Sequence, residues 1–202
     1  MKSKDDKRVR ILSAAVKVFA QKGFYNAKVA DVAKNAGVAD GTIYLYFKNK
    51  DDILICIFEE EMEKFIDEIK GVTAVETGSL AKLRRFIHAH LDLVQRNPKL
   101  AQVFQLELRQ SNKFIKEYTG SKLKEYLNLI GDLIAEGQAE GLIRVELHPG
   151  LVKRALFGAL DEIATHWVLS KNGKHDLGQS ADQIAEIFIL GVAARPSEAK
   201  HS

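Results

Sequence analysis

The chain has 202 residues, 46% apolar and 28% charged, which is the composition of a globular protein with a sizeable core. No apolar run approaches the roughly 18 residues that cross a bilayer; MKSKDDKRVR lacks the apolar centre of a secretion signal, and Cys56 alone makes neither a disulfide framework nor a cysteine zinc site, so a cytoplasmic protein is expected. The net charge of +3 is uneven, because residues 1–50 hold eleven basic side chains against four acidic ones, a net of +7, leaving −4 for the rest.

Val9, Leu12, Val16 and Phe19, spaced 3, 4 and 3, predict one apolar face of a first helix that Gly23 ends. Val29, Val32 and Ala33 mark a short second helix closing at Ala36-Gly37. After the tight turn Gly37-Val38, a third runs from about Ala39 to Tyr46. Two short helices joined by a glycine turn have helix-turn-helix geometry, and the second of them offers its N-terminal residues to the DNA major groove. Small residues at Ala39, Gly41 and Thr42 allow close approach; Ile43 is expected inside, Phe47 as a plug between head and body, and Tyr44 and Tyr46 outside, where a phenol reaches phosphate or a thymine methyl. The predicted DNA-contact set is Lys28, Ala39, Asp40, Gly41, Thr42, Tyr44, Leu45, Tyr46, Lys48 and Lys50. Half-buried tyrosines and a solvated basic surface with no partner compete evenly with that reading.

The remaining elements are also helical. Leu54, Phe58, Met62, Phe65 and Ile69 follow the N-cap Asn49, with Asp51 and Asp52 complementing the dipole, and this helix is expected to run from the head into the body. Val72 to Gly78 reads as a loop. Leu80, Leu83, Ile87, Leu91 and Val94 follow Ser79 as cap; Asn97-Pro98 opens a helix through about Ser111. Leu123, Leu127, Ile130 and Ile134 close near Gly141, and Leu142 to Leu147 is too short for a strand. Pro149 starts a helix carrying Val152, Leu156, Leu160, Ile163 and Trp167, ending by Gly173. Ser180 to Gln183 is a capping box for a last helix bearing Ile184, Ile187, Phe188 and Val192. The fold class is all-α, about nine helices: a three-helix DNA-binding head (1–50), a ligand-binding and dimerisation body (51–195) and a flexible tail (196–202).

Enzymatic signals are poor. There is no phosphate-binding glycine loop, HExxH or nucleophile elbow. His88 and His90 fall on different helix faces; Glu162 and His166 sit one turn apart, where a hydrogen bond is far commoner than a metal, and Cys56 among isoleucines reads as an inert thiol. No catalytic residue, metal or cofactor is predicted.

Ile11 to Leu54 resembles the DNA-binding head of TetR-type repressors, on Ala14-Ala15, Phe19, Gly23-Phe24, Val32-Ala33, Ala36-Gly37-Val38, Gly41-Thr42-Ile43-Tyr44, Tyr46-Phe47, Lys50 and Leu54. Members often have two threonines at Ala27-Lys28 and a serine at Ala39; Asn26 is expected to replace the lost cap. KVADVAKNAGVADGTIYLYFKNKDDIL and Gln105 to Asn112 look most like the fatty-acid-degradation repressors of the Bacillus type. That resemblance implies a homodimer that represses fatty-acid breakdown genes from palindromic double-stranded operator DNA and is released by a long-chain fatty acyl-CoA; no membrane partner is expected. A regulator of another regulon such as drug efflux, sensing a different hydrophobic effector, is the alternative; a DNA-binding protein with a filled body is a second.

An acyl-CoA needs an apolar tunnel and a basic mouth. The expected lining is Leu100, Phe104, Leu108, Asn112, Phe157 and Asp161, with room left by Gly131 and Gly158 and a mouth formed by Arg84, Arg85 and Arg109; plain packing is the rival for each. In the family two C-terminal helices per subunit build the dimer, which here implies Leu156, Leu160, Ile163, Trp167, Ile184, Ile187 and Phe188, with internal core as the rival. A two-fold dimer spaces two heads about one DNA turn apart, roughly 34–36 Å.

Overall fold

Nine helices carry all the regular structure in the residues that this computed structural model describes, namely 4–108, 111, 120–170 and 176–194. The head holds α1 (Lys4–Lys22), α2 (Val29–Ala36) and α3 (Asp40–Ile43). The body holds α4 (Lys50–Ala74), α5 (Ser79–Arg96), α6 (Pro98–Gln102, continued by a π-helical turn Val103–Glu107), α7 (Ser121–Ala139), α8 (Pro149–Leu169) and α9 (Leu177–Val192). α5 is central, packed against α4, α6, α7, α8 and α9. No described helix is long and apolar enough to cross a membrane. The tail 196–202 lies outside the described residues.

α1 is rotated from the expected face. Val9 is 60% exposed, while Ile11, Leu12, Ala15, Val18 and Phe19 are buried. The helix has two partners, α2 and the body, so it buries a wider arc than one 3–4 stripe. Gly23, at φ 76°, ends it as predicted. α2 is not capped by Asn26, whose amide donates to the Lys22 carbonyl at 3.3 Å. The cap position is Lys28, whose N–H donates to Asp31 Oδ2 at 3.0 Å.

Asn49 caps α4 as expected, accepting from Asp52 N at 2.9 Å, and Asp52 in turn accepts from Lys48 N at 2.9 Å. α4 then continues to Ala74, three residues into the predicted loop, burying Leu54, Ile57, Phe58, Met62, Ile66 and Ile69. Ser79 is not a cap: it is the first residue of α5, and its N–H and hydroxyl donate to Glu140 at 3.0 and 2.6 Å, so a carboxylate from the end of α7 serves that helix terminus. The predicted cap at Ser180 is also displaced. α9 starts at Leu177, where Asp176 Oδ1 accepts from Gly178 N at 2.9 Å and Gln95 accepts from Leu177 N at 2.7 Å. Leu142 to Leu147 forms no strand, only an isolated bridge between Ile143 and Ala193.

Candidate nucleic-acid interface and ligand cavity

The helix-turn-helix is braced from behind and bare in front. Arg10 on α1 donates to the carbonyls of Ala36 and, at 3.4 Å, Gly37, clamping the turn between α2 and α3. Gly37 has φ 64°, which a glycine adopts without steric cost. Ile43 and Phe47 are buried as predicted, and the Arg8 guanidinium lies 5.6 Å from the Phe47 ring centroid. α3 itself is shorter than expected. Regular helix stops at Ile43, and turns carry the winding on, with Tyr46 N and Phe47 N both donating to the Ile43 carbonyl at 3.0 Å. Ala39, Asp40, Gly41, Tyr44 and Leu45 remain exposed, while Thr42 and Tyr46 are half-buried. A Cβ on Gly41 would meet nothing within 4 Å, so the bare backbone there is open to a partner. Lys28 and Lys48 are exposed as well.

Lys50 is a correction. Its ammonium donates to the carbonyls of Phe24 at 2.5 Å and of Tyr25 and Ala27 at 3.1 Å, and it stands 4.5 Å from the Phe24 ring centroid. Three protons meet three acceptors, so this lysine splints the α1–α2 turn to the start of α4 and holds nothing in reserve for a phosphate. Lys50→Met should therefore cost about 1–3 kcal/mol of stability, lowering Tm by several degrees, since it removes a charged donor shared by three carbonyls, two of them part-buried. Calorimetry checks this; an unchanged Tm with weakened DNA binding would return Lys50 to the interface.

In the body, α4 to α8 surround a cavity of about 210 Å³. Phe58, Met62 and Phe65 face it from α4, Leu93 and Val94 from α5, Leu100, Phe104 and Leu108 from α6, Leu123 from α7 and Phe157 from α8. The Phe104 ring lies 5.2 Å from that of Phe58 and 6.5 Å from that of Phe65. Among the described residues the polar lining is Asn97, Gln105, His90, Tyr126 and Asp161. His90 and Tyr126 were not foreseen. His90 Nδ1 is hydrogen-bonded to the Tyr126 hydroxyl. Burial pushes the His90 pKa down to about 4 and the Tyr126 pKa up, in each case opposed or aided by the nearby Asp161 carboxyl, so both rings are neutral at pH 7.

Four ligand expectations need correcting. Arg84 and Arg85 are exposed on the side of α5 away from His90, Leu93 and Val94, and Arg85 instead borders a polar surface hollow with Glu68, His88 and Asp92. Gly131 faces Lys153, whose Cδ lies 3.4 Å from where its Cβ would stand, and Gly158 faces open space on the outer side of α8. The sequence showed small or basic residues on helices but not their rotation about the helix axis. Arg109 and Asn112 lie outside the described residues. Among the described residues no group of three His, Cys, Asp or Glu side chains is placed for a metal, and Glu162 and His166 are both exposed. Cys56 is half-buried, and burial raises its thiol pKa, which suits an unreactive side chain.

The cavity wall and the head share a helix. Gln102 Nε2, on α6, donates to the Ala20 carbonyl of α1 at 2.7 Å. Glu107, 5% exposed at the end of the π-helical turn, accepts from Phe24 N at 2.6 Å. Ser111 donates to Asp51 Oδ1, in the first turn of α4, at 2.7 Å. Thus α6 presents Leu100, Phe104 and Leu108 to the cavity and polar side chains to the head. π-helical turns are rare and concentrate at functional sites.

The outer faces of α8 and α9 differ from the expected dimer surface. Leu156, Leu160 and Trp167 are buried within the chain, so the internal-core reading holds for them. Ile163, Ile184 and Phe188 are half-buried, while Ile187 and Leu190 are 64% and 72% exposed.

Residues 11–56 match the family described as bacterial regulatory proteins, tetR family, and residues 58–191 match the C-terminal region of YsiA-like proteins. The chain is 40% identical over 192 residues to the fatty acid metabolism regulator protein of Bacillus subtilis (strain 168), covering 95% of this chain and 98% of that one. Its fold is similar to that of the fatty acid degradation regulator FadR from Bacillus halodurans, with TM-score 0.88 and 41% identity over 96% of this chain and 100% of that one. It is also similar to FadR from Bacillus subtilis in complex with stearoyl-CoA, with TM-score 0.85 and 40% identity over 91% and 98% of the two chains.

Proposed function

The chain belongs to the TetR family of bacterial regulatory proteins, and on that premise we propose that it is a cytoplasmic, homodimeric repressor of fatty-acid degradation genes, released from a palindromic operator by long-chain acyl-CoA. Its relatives are transcriptional regulators, not enzymes. The observation that carries the effector half is the apolar cavity whose wall, α6, also grips the head at Ala20 and Phe24. An acyl chain entering between Phe58, Phe65 and Phe104 must displace α6 side chains, and what moves α6 moves the α1–α2 turn. Two heads that match successive major grooves in one state then fail to match them in the other. Stearoyl-CoA is the ligand of a relative of similar fold and 40% identity, which supports the thioester as effector here.

The DNA half rests on the exposed set Ala39, Asp40, Gly41, Tyr44 and Leu45, flanked by Lys28 and Lys48. Tyr44→Ala should weaken operator binding about tenfold, the size of one good base-edge or phosphate contact, while leaving acyl-CoA affinity unchanged. Parallel operator and ligand titrations check both halves of that statement.

The decisive experiment selects a palindromic operator from random DNA and measures its release by stearoyl-CoA at fixed salt, with free stearate and free CoA as controls. Release by the thioester alone supports the proposal. Tight operator binding indifferent to all three would leave a TetR-type head with a different hydrophobic effector, such as a drug-like molecule in the same cavity.

A further inference from the structure

We propose that Asp40 is a base-reading residue of the head: its carboxylate accepts from the 4-amino group of a cytosine in the major groove and so fixes a C·G pair at one position of each operator half-site. This role rests on the DNA half of the proposed function and deepens it.

The carboxylate stands free where a charge of its sign is least expected. Between Gly23 and Leu54 there are four acidic side chains, Asp31, Asp40, Asp51 and Asp52. Three of them belong to the fold. Asp31 accepts from Lys22 Nζ at 2.6 Å and from Lys28 N at 3.0 Å, Asp51 accepts from the Ser111 hydroxyl at 2.7 Å, and Asp52 accepts from Lys48 N at 2.9 Å. Asp40 is exposed, and among the described residues none bonds to or pairs with its side chain. Its neighbourhood is otherwise built for a polyanion, since residues 1–50 carry a net +7. An unpaired negative charge at the start of the DNA-facing helix repels the phosphates. The four-residue α3 is too short for a helix dipole to offset that repulsion. The carboxylate therefore helps binding only where it meets a donor on the DNA.

The local shape lets it meet one. In a helix-turn-helix the N-terminal residues of the second helix touch base edges. Ala39 and Gly41 on either side are small, and a Cβ on Gly41 would meet nothing within 4 Å, so neither neighbour props the backbone away from the groove. Tyr44, one turn on, is exposed beside it. An ionised carboxylate only accepts, and the major groove offers two kinds of donor, the 4-amino group of cytosine and the 6-amino group of adenine. Adenine sets its N7 acceptor next to that amino group, where it repels the second carboxylate oxygen. Guanine and thymine offer acceptors alone. Cytosine is what remains. Asparagine, which carries a donor as well, has a different preference and pairs with adenine N6 and N7 together.

The test is operator selection from random DNA, at one fixed salt concentration, by the full-length protein and by its Asp40→Asn and Asp40→Ala variants. An exposed, unbonded side chain can be changed without unfolding the head, and circular dichroism checks that all three proteins are equally helical. The unchanged protein should select cytosine at one position of each half-site. Asp40→Asn should select adenine at that same position and Asp40→Ala no fixed base there, with every other position the same in all three. Titration then measures the contact. Exchanging that C·G pair in one half-site, or replacing its cytosine by an analogue that lacks the 4-amino group, should weaken binding of the unchanged protein about tenfold and leave Asp40→Ala unaffected. Three results overturn the assignment while the DNA-binding reading stands. One is the same sequence selected by all three proteins. Another is a change at a position where the unchanged protein prefers a base other than cytosine. The third is an Asp40→Ala variant that binds every sequence more tightly by one common factor, which makes the carboxylate only a source of repulsion. If the unchanged protein selects no sequence at all, the DNA-binding reading fails and the role of Asp40 fails with it.

Discussion

Replacing Glu107 with alanine should weaken operator binding by at least about tenfold in the absence of any effector and blunt what response to stearoyl-CoA remains. The carboxylate is almost fully buried and receives the Phe24 N–H at 2.6 Å, across the joint between α6 and the head. Without it the Phe24 N–H is left without that acceptor in a place water reaches poorly, at a cost of about 1–3 kcal/mol, of which 1.4 kcal/mol is a factor of ten. That cost falls on the arrangement in which head and α6 are held together, so the equilibrium moves away from it. Gln102→Ala, which removes only a neutral hydrogen bond to the Ala20 carbonyl, should do the same more weakly, by about 0.5–1.5 kcal/mol. Operator titrations of both variants with and without stearoyl-CoA measure the two effects at once. Normal affinity and a normal acyl-CoA response in Glu107→Ala would remove this contact from the signalling route and shift the weight to Gln102–Ala20 and to α4, which runs unbroken from head to body.

That contact also marks the limit of what the sequence disclosed. Glu107 lies in a stretch, Gln105 to Asn112, that resembles the fatty-acid-degradation repressors, yet nothing in its spacing says that a carboxylate there turns toward residue 24. The head was legible because its signals are local. Gly37 must be left-handed, Ile43 and Phe47 are apolar at the turns that face inward, and Asn49 precedes an acidic first turn. Lys50 was misread for the complementary reason: a lysine beside a DNA-reading helix suggests phosphate, and only the fold shows three carbonyls waiting for it. In the body, periodicity and cap signals found each described helix but not its neighbours. α5 is flanked by five helices and α1 packs on both sides, so an apolar stripe fixes a helix and leaves open which partner it meets. The polar pair His90 and Tyr126, 36 residues apart, has no sequence signature at all.

The same ambiguity bears on the proposed dimer, and there one substitution has the largest expected effect. Leu156, Leu160 and Trp167 are spent on the protein's own core, but Ile187 and Leu190 stand well exposed on α9 beside the half-buried Ile184 and Phe188. Gly158, on the outer side of α8, adds a place where a second helix can approach the backbone closely. We propose that the exposed face of α9, rather than the buried stripe, is where a second copy docks. Ile187→Glu would then bury an unpaired carboxylate in each half of a two-fold interface, so every dimer carries the fault twice. A separated protomer retains one head and reads one half-site, and losing the tethered second head costs about a thousandfold in operator affinity. The variant should sediment as a folded monomer with an unchanged helical circular-dichroism spectrum, bind its operator about as weakly as unrelated DNA, and still take up acyl-CoA. Leu160→Glu should instead unfold the body, because that side chain has no exposure at all. A dimer that survives Ile187→Glu but not a substitution elsewhere on α8 would move the interface off α9, and with it the axis that sets the spacing of the two heads.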